Sequence, residues 1–566
     1  MRILPEPADR HRPWRDALWV AGVPLALLAL ALVLVPPQGN FPFNDDWIYG
    51  RAVSQWLAAG HFEGHPFSTA SLIGQAAWGT LFCLIFGFSF EVLRWSTIVL
   101  WALAAATTGL TARAIGAQRW SAMLAGTLVI ANPLAFNLGY TFMTDVPFMA
   151  MMAVSGYGYV RALETPRSRW CLLGSLFGAG ALLIRQFAPV ILIAFLLVSI
   201  PRWRSWRTPK IRRCAVALGA PWLIAFTLLN LMPQHAGALG HVWKPRNLGN
   251  GLMEQLLGAP EFYGITFVYL ALFALPLVLG AAACWLAPHV GCWKRRLLWT
   301  APILTMLVIF TAARAPHRMP YLGNIIYDLG LGPMTMRGNY SEDGMWTPHA
   351  WGNGWWLLTA AGLLGAAWMG AAILVWLKGK PNENREPAMA VRRRQQTFLG
   401  IWAIIAILAL YHPWLPVRFD RYLLGALVPV LALVASAPIL TKPVICWAQG
   451  ICLALQFSFS LAAQHDYLSW NQVRWKALGE LMAEGIRPEK IDGGYEFNGW
   501  YTSDHFIERL GPMAFLKSGP KGWWVVDDVY AIAWKPREGY VTRDVLPYAT
   551  WLGPDQELLL LERESQ

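Results

Sequence analysis

Two adjacent carboxylates stand in the stretch FPFNDDWIYG, directly after the first strongly apolar segment of the chain. Asp45 and Asp46 are flanked there by aromatic residues. At the surface of a membrane, such a pair could abstract a proton from an acceptor or bind a cation. The alternative is structural, because Asp is also a favoured N-cap residue, here for a helix that starts near Trp47.

A third carboxylate, Asp145, follows Thr144 in the stretch YTFMTDVP, at the external end of a predicted span. A carboxylate that borders hydrocarbon is costly, so it normally pairs with a cation or lines a cavity. Helix capping by Thr144, with Asp145 in the first turn, is the alternative. Because Asp145 is predicted on the same side of the membrane as Asp45, the pattern favours one shared site.

Cationic residues are predicted on this same side. Arg185 lies in a tight turn between two spans, Arg418 and Arg421 lie in VRFDRYLLGALVP, and His317 lies in a long loop rich in Gly and Pro. Guanidinium groups bind phosphate oxygens bidentately and stay protonated, which suits a phosphate leaving group. Ion pairs with lipid headgroups or with Asp420 are the alternative.

Membrane spans must position these groups. The 566 residues are 56% hydrophobic and only 14% charged, against about 25% charged in soluble domains. The apolar residues come in blocks of roughly twenty, the length that crosses a hydrocarbon core of about 30 Å. The 32 Trp residues agree, since indole rings favour the bilayer interface. The composition predicts a polytopic α-helical membrane protein.

About thirteen spans are predicted, and the first external loop, residues 37–90, has two further stretches with the spacing of interfacial helices, 47–59 and 71–86. The spans are expected at 17–36, 92–112, 121–136, 145–160, 170–184, 187–200, 214–232, 265–287, 297–313, 355–377, 398–411, 422–440 and 444–463. The sequence thus divides into a membrane domain, residues 1–463, and a small external α/β domain, residues 464–566. In the latter we expect a helix at 467–484 and strands at 490–497, 523–526, 530–534 and 557–561.

The net charge of +13 comes mainly from short loops, for example residues 202–213, 292–296 and 378–394. This is the positive-inside pattern of a membrane protein. No basic stretch has a motif that reads nucleic acid, so a nucleic-acid partner is not expected. With the N-terminus inside, the pattern predicts a bacterial cytoplasmic membrane protein whose C-terminal domain is periplasmic or extracellular.

These features fit transfer of a sugar from polyprenyl phosphate. The leaving group is a stable anion and needs no general acid, so one carboxylate deprotonates the acceptor hydroxyl while cations take up the phosphate charge. The acceptor is a protein, glycolipid or polysaccharide hydroxyl, and membrane lipid is a further partner. A multi-span transporter or flippase is the alternative, although the charges lie at span ends rather than at mid-membrane. An envelope scaffold would not require Asp45.

The chain resembles the lipid-dependent GT-C glycosyltransferases, particularly the protein O-mannosyltransferases and lipid A aminoarabinose transferases. The resemblance rests on FNDDWIYGRAVSQWLAAGHF, on MTDVPF and on RYLLGALVPVLAL. It implies a GT-C-like fold in which Asp45 is the catalytic base, with Asp46 in place of the usual Glu. The remaining residues that it implies are the second-loop carboxylate Asp145, the Arg421–Tyr422 pair beside the lipid phosphate, and Tyr49.

Trp47 and Tyr49, which follow the acidic pair, are expected to contact substrate. The chain departs from the family's motifs at one place. Relatives often have Lys-Pro-Pro in the first loop, where this chain has LIGQAAWG and therefore no lysine to neutralise the acidic cluster. No cofactor is expected to be required, and a divalent metal between the carboxylates is left open.

Overall fold

The computed structural model describes residues 13–68, 70–199, 209–231, 248–286, 300–308, 318–326, 354–378, 387–411, 419–438, 442–511 and 523–564. His317 and Arg418, both predicted to bind phosphate, lie outside these ranges.

Helices dominate the described part of the chain. They are α1 Pro13–Leu34, α2 Asp46–Ala59, α3 Ile73–Phe86, α4 Phe90–Ala114, α5 Arg119–Ala131, α6 Pro133–Gly139, α7 Asp145–Glu164, α8 Ser168–Ile184, α9 Pro189–Ser199, α10 Pro209–Leu231, α11 Leu248–Phe273, α12 Leu275–Leu286, α13 Gly354–Lys378, α14 Pro387–Ala409, α15 Leu424–Ala435, α16 Pro443–Ala483 and α17 Tyr495–Leu510. Residues 300–308 are also helical, and short 3₁₀ helices cover Asp420–Leu423 and Pro488–Lys490.

Within the described residues, five helices are long and apolar enough to cross a membrane, or up to seven if each bent pair counts as one span. Three shorter apolar helices, Ile73–Phe86, Ser168–Ile184 and Pro189–Ser199, accompany them. Large apolar side chains such as Leu223, Leu357 and Val444 are exposed on these helices. Apolar surface of this kind is covered by lipid in a membrane protein. A multi-span helical membrane protein is therefore confirmed, and the figure of thirteen spans stays a prediction.

Two predicted spans are bent pairs of helices rather than single helices. The helix expected at 121–136 breaks between α5 and α6 with a bend of 57°, and that expected at 265–287 breaks between α11 and α12 with a bend of 85°. In the first pair, Pro133 opens α6 and the Asn132 side chain accepts the N–H groups of Leu134 and Ala135. Proline removes a backbone donor and disfavours helix at the preceding residue, which explains this break.

The last predicted span and the following external helix form one helix, α16, of 41 residues. At 1.5 Å per residue it is about 60 Å long, about twice the thickness of the hydrocarbon core. The helix continues through residues 463 and 464, where the sequence suggested a change of domain. Its second half therefore carries the C-terminal residues on an extension of a membrane helix.

The C-terminal sheet has four strands in the order β1-β2-β4-β3, formed by β1 Ile491–Asp492, β2 Tyr530–Ala533, β3 Tyr540–Tyr548 and β4 Gln556–Arg563. β1 pairs parallel with β2, and the other two pairings are antiparallel. The strands expected at 530–534 and 557–561 are confirmed. The strand expected at 490–497 is wrong beyond Asp492, because α17 begins at Tyr495, and residues 523–526 form no strand. The longest strand, β3, was not predicted.

The segment between α1 and α4 is held by a buried arginine near the start of α4. Arg94 is fully buried and its guanidinium donates hydrogen bonds to the carbonyls of Gly39, at 2.7 Å, and Phe41. It also lies 4.2 Å from the ring centroid of Phe43. These contacts fix the backbone just before Asp45. A charged residue near the end of a predicted span was the available signal for this role.

Candidate active site

The two adjacent aspartates at the start of α2 lie in different surroundings. Asp45 occupies the N-cap position, but its side chain makes no capping hydrogen bond. Instead, Asp45 Oδ2 lies 3.5 Å from Arg421 Nη2, and the side chain is 21% exposed. Its Oδ1 accepts a hydrogen bond of 2.7 Å from the Tyr495 hydroxyl. The capping alternative therefore accounts for the position of Asp45 in the helix and not for its side-chain contacts.

Asp46 is fully buried and faces the protein interior. Its carboxylate accepts the backbone N–H of Phe142 at 2.9 Å and that of Phe43 at 3.3 Å. The amide of Gln75, in the segment that departs from Lys-Pro-Pro, donates to the carbonyl of the same Phe142. Asp46 and Gln75 thus attach the loop before Asp145 to the segment between α1 and α4.

Burial raises the pKa of Asp46 to about 8, although the N–H groups of Phe142 and Phe43 and the charge on Arg94 act in the opposite direction. A carboxyl whose pKa is higher in the native state than the usual value of about 4 binds more protons there between about pH 4 and pH 8. The stability of the protein is therefore expected to fall as the pH rises through that window.

The Asp46→Asn variant should be less stable than wild type, because one backbone donor loses its acceptor, but its stability should vary less with pH. Thermal unfolding in detergent between about pH 5 and pH 8 measures both, and a slope equal to that of wild type would contradict the prediction.

Asp145 begins α7 and pairs with the arginine that follows α8. Its Oδ2 lies 2.9 Å from Arg185 Nη2, and its side chain is 1% exposed. Thr144 occupies the N-cap position without a capping hydrogen bond, and its hydroxyl accepts from Arg185 Nε at 2.7 Å. Arg185 therefore ties the end of α8 to the start of α7.

Arg421 and Tyr422 lie in the 3₁₀ turn that leads into α15. The guanidinium of Arg421 is 4.9 Å from the ring centroid of Phe419 and 5.7 Å from that of Tyr422, and Arg185 lies 5.6 Å from the Tyr422 ring. The Tyr422 ring is thus within reach of both guanidinium groups. Arg421 Nε and Nη1 are buried and have no hydrogen-bond partner among the described residues.

Asp420, which the sequence left open as an ion-pair partner for the cationic residues, binds backbone N–H groups. Its carboxylate accepts the backbone N–H groups of Ile325 and Ile326 at 3.0 and 2.8 Å. Its own N–H donates to the Gly323 carbonyl at 3.1 Å. Asp420 therefore attaches residues 318–326 to the turn that carries Arg421.

Arg421 interacts electrostatically with both Asp45 and Asp145. Burial would lower the pKa of Arg421, but Asp145, Tyr422, Asp45 and Tyr49 together raise it above its ordinary value. Burial and the nearby charge of Asp45 raise the pKa of the Tyr49 phenol. Asp45 and Asp145, a hundred residues apart in sequence, are therefore parts of one electrostatic cluster with Arg421 and Arg185.

A pocket that is partly open to solvent adjoins this cluster. Its polar lining comes from Asp145, Arg185, Arg421 and Tyr422, and the rest is lined by Phe148, Met152, Phe187, Val190, Ala406, Ala409, Leu410, Leu424 and Gly425. The pocket is thus lined by the guanidinium groups of Arg185 and Arg421 in one part and by apolar side chains in the rest. This combination suits an amphiphile with an anionic head.

Trp47, which was predicted to contact substrate, is fully buried outside this lining. Its ring packs at 4.9 Å from that of Trp524 and 5.2 Å from His65, and a side chain at Gly499 would overlap it. Tyr49, by contrast, is buried beside Asp45 and Arg421. Trp47 therefore joins α2 to the C-terminal residues.

The described residues contain no group of three or more His, Cys, Asp or Glu side chains that could hold a metal ion. Asp45 and Asp145 each face an arginine instead. Sequence reasoning also missed Tyr495, Glu496 and Arg474, which bring α17 and α16 to the first loop. Their separation in sequence left no local pattern that could have identified them.

Comparison with known proteins gives one family match and several distant structural similarities. A family model described as dolichyl-phosphate-mannose-protein mannosyltransferase matches residues 75–227, a region that contains Asp145 and Arg185. A search of curated proteins found no match.

Among solved structures, the oligosaccharyltransferase AglB of Archaeoglobus fulgidus, in complex with an inhibitory peptide and a dolichol-phosphate, is 12% identical with a TM-score of 0.41. The overlay covers 80% of this chain but only 56% of that protein. ArnT of Cupriavidus metallidurans bound to undecaprenyl phosphate is 13% identical over 97% of this chain and 98% of its own, with a TM-score of 0.39. TM-scores this low do not establish a shared fold. The match over residues 75–227 confirms the sequence-based recognition of this chain as similar to the GT-C membrane glycosyltransferases of the protein O-mannosyltransferase type.

Proposed function

We propose that this protein transfers a sugar from a polyprenyl-phosphate donor to a hydroxyl acceptor at the external face of a membrane. The observation that carries the proposal is the pocket, in which Arg185 and Arg421 line one part and apolar side chains line the rest. Two buried nitrogens of Arg421, Nε and Nη1, have no hydrogen-bond partner among the described residues. A phosphate oxygen in the pocket would accept from one of them, because guanidinium N–H groups form strong hydrogen bonds to phosphate.

In the proposed reaction, Asp45 acts as general base. The acceptor O–H proton passes to the Asp45 carboxylate, the acceptor oxygen forms a bond to the anomeric carbon, and the bond from that carbon to the phosphate oxygen breaks. The electron pair of that bond stays on the polyprenyl phosphate. Arg421 and Arg185 stabilise the negative charge that develops on the phosphate oxygen. Cationic groups held in place in this way lower the energy of a transition state in which such charge develops. The apolar lining takes the first units of the lipid.

The partial exposure of Asp45, with a side chain 21% exposed against 1% for Asp145, favours it as the residue that meets the acceptor. Asp145 would then hold Arg185 in place. Asp46, buried under two backbone N–H groups, would fix the loop. The proposal requires no metal, since each of the two separate carboxylates already faces an arginine.

The basic loops that face the cytoplasm in the positive-inside pattern support an external site. We therefore place the protein in the bacterial cytoplasmic membrane, with the C-terminal residues outside. The acceptor, whether protein, glycolipid or polysaccharide, would approach from that side.

The proposal is tested with membranes of the source cell that carry the protein in excess, supplied with undecaprenyl phosphate linked to radiolabelled mannose, glucose or aminoarabinose. We expect label from one of these donors to enter a membrane acceptor and undecaprenyl phosphate to be released in equal amount. Movement of the labelled lipid across sealed vesicles without transfer would favour the transporter alternative and overturn the proposal.

Replacement of Arg421 by Lys is expected to weaken the binding of undecaprenyl phosphate roughly tenfold. Lysine keeps the charge that Asp45 and Asp145 require but loses the fork of N–H donors, and a hydrogen bond to a charged group contributes about 1.5–3 kcal/mol. Quenching of tryptophan fluorescence by undecaprenyl phosphate in detergent measures the dissociation constant. The Arg543→Lys variant, whose arginine pairs with Glu484 at an exposed site, is the control. Equal affinities of Arg421→Lys and wild type would remove Arg421 from the phosphate site.

A further inference from the structure

The C-terminal residues reach the candidate site through the first turn of α17. The Tyr495 hydroxyl donates a hydrogen bond of 2.7 Å to Asp45 Oδ1 across 450 positions in sequence. Asp45 Oδ2 faces Arg421 at 3.5 Å. The carboxylate is therefore held at both oxygens, by a neutral donor from the C-terminal residues and by a cation from the membrane domain. A carboxylate oxygen has more than one acceptor position, so the Tyr495 contact leaves Oδ1 free to accept from a substrate hydroxyl.

Tyr495 is itself held by packing. Its ring centroid lies 5.3 Å from that of Trp524, 5.7 Å from Trp523 and 6.2 Å from Trp47. Aromatic pairs at these distances and tilts are favourable beyond the area that they bury. The ring therefore has little freedom to swing its hydroxyl away from Asp45.

The neighbouring Glu496 fixes the same junction through the backbone. Its Oε1 accepts the N–H of Asn44, the residue before Asp45, at 3.1 Å. Its Oε2 pairs with Arg474 of α16 at 2.9 Å, and both side chains are fully buried. The start of α17 is thus attached to the residue before Asp45 and to the long helix.

We propose that Tyr495 is a positioning residue for Asp45, so that the C-terminal residues complete the site instead of forming a separate appendage. The inference rests on the proposed function, in which Asp45 is the base. The Tyr495 hydroxyl selects the carboxylate orientation in which one oxygen faces the acceptor. Orientation of this kind affects the chemical step more than the binding of the lipid phosphate, which Arg421 and Arg185 govern.

The test is the Tyr495→Phe variant of the full-length protein, because phenylalanine retains the ring packing and removes only the hydroxyl. We expect the rate of sugar transfer at saturating donor to fall about tenfold, the effect of losing one hydrogen bond to a charged group. The dissociation constant for undecaprenyl phosphate and the thermal unfolding midpoint should stay close to those of wild type. The Tyr540→Phe variant is the matched control, since that hydroxyl donates to the Asp528 carbonyl in the sheet, and its rate should not change.

The outcomes separate the inference from the function on which it rests. A Tyr495→Phe variant as fast as wild type, with Asp45→Asn inactive, would overturn the positioning role and leave the proposed function standing. A parallel loss of undecaprenyl phosphate binding and of thermal stability in Tyr495→Phe would also overturn it, because it would indicate a purely structural contact. A wild-type protein that transfers no sugar from any of the donors would overturn the proposed function itself.

Discussion

The Asp45→Asn variant is expected to transfer sugar at least about a hundredfold more slowly than wild type, since general-base catalysis contributes roughly 10²–10⁴-fold. Asparagine keeps the size of the side chain and can still accept from Tyr495, but it cannot take the acceptor proton. Undecaprenyl phosphate should still bind, because Arg421 and Arg185 remain. The negative charge of Asp45, which competes with the phosphate for Arg421, is removed. The transfer of label from the donor that wild type uses measures the rate, and fluorescence quenching measures the binding.

The control for this variant is Asp504→Asn. Asp504 is also paired with an arginine, at 2.5 Å from Arg51, but its side chain is exposed and Arg51, unlike Arg421, does not line the pocket. Its activity should equal that of wild type. If Asp45→Asn keeps wild-type activity while Asp145→Asn loses it, then Asp145 and not Asp45 is the base.

The Arg474→Met variant is expected to lower the free energy of unfolding by about 3–5 kcal/mol, the usual cost of removing one partner from a buried ion pair. Arg474 and Glu496 are fully buried, so the remaining carboxylate would lie uncompensated in the core. Arg474 also lies over the rings of Trp470 and Trp475, at 5.0 and 5.5 Å. Sugar transfer should fall as well, because Glu496 holds the residue before Asp45.

The matched variant is Arg543→Met, which breaks an ion pair of similar length, 2.7 Å, with the exposed Glu484. Exposed pairs contribute about 0–1 kcal/mol, so this variant should unfold close to wild type. Thermal and denaturant unfolding in detergent, followed by tryptophan fluorescence, compare the two. Equal midpoints for both variants would show that the buried pair does not stabilise the junction.

Much of this molecule follows from local patterns in its sequence. Apolar blocks and their charged flanks predicted multiple membrane helices, and the confirmed strands, YAIAW at 530–534 and ELLLL at 557–561, are short apolar runs typical of buried strands. The break at Asn132 and Pro133 was also present in the sequence, where a proline cannot continue a helix. Short motifs led to the glycosyltransferase resemblance, which the family match over residues 75–227 bears out.

The sequence by itself determined that carboxylates and arginines stand at the ends of apolar segments, because hydrocarbon excludes unpaired charge from the segments between them. Only the tertiary structure decided which groups meet. Adjacent residues at a helix start point in different directions, so Asp45 faces Arg421 while Asp46 accepts backbone N–H groups inside the loop. The contact of Tyr495 with Asp45 spans 450 positions. No local sequence pattern predicts such a contact, because it depends on the position in which the long helix α16 places the residues that follow it.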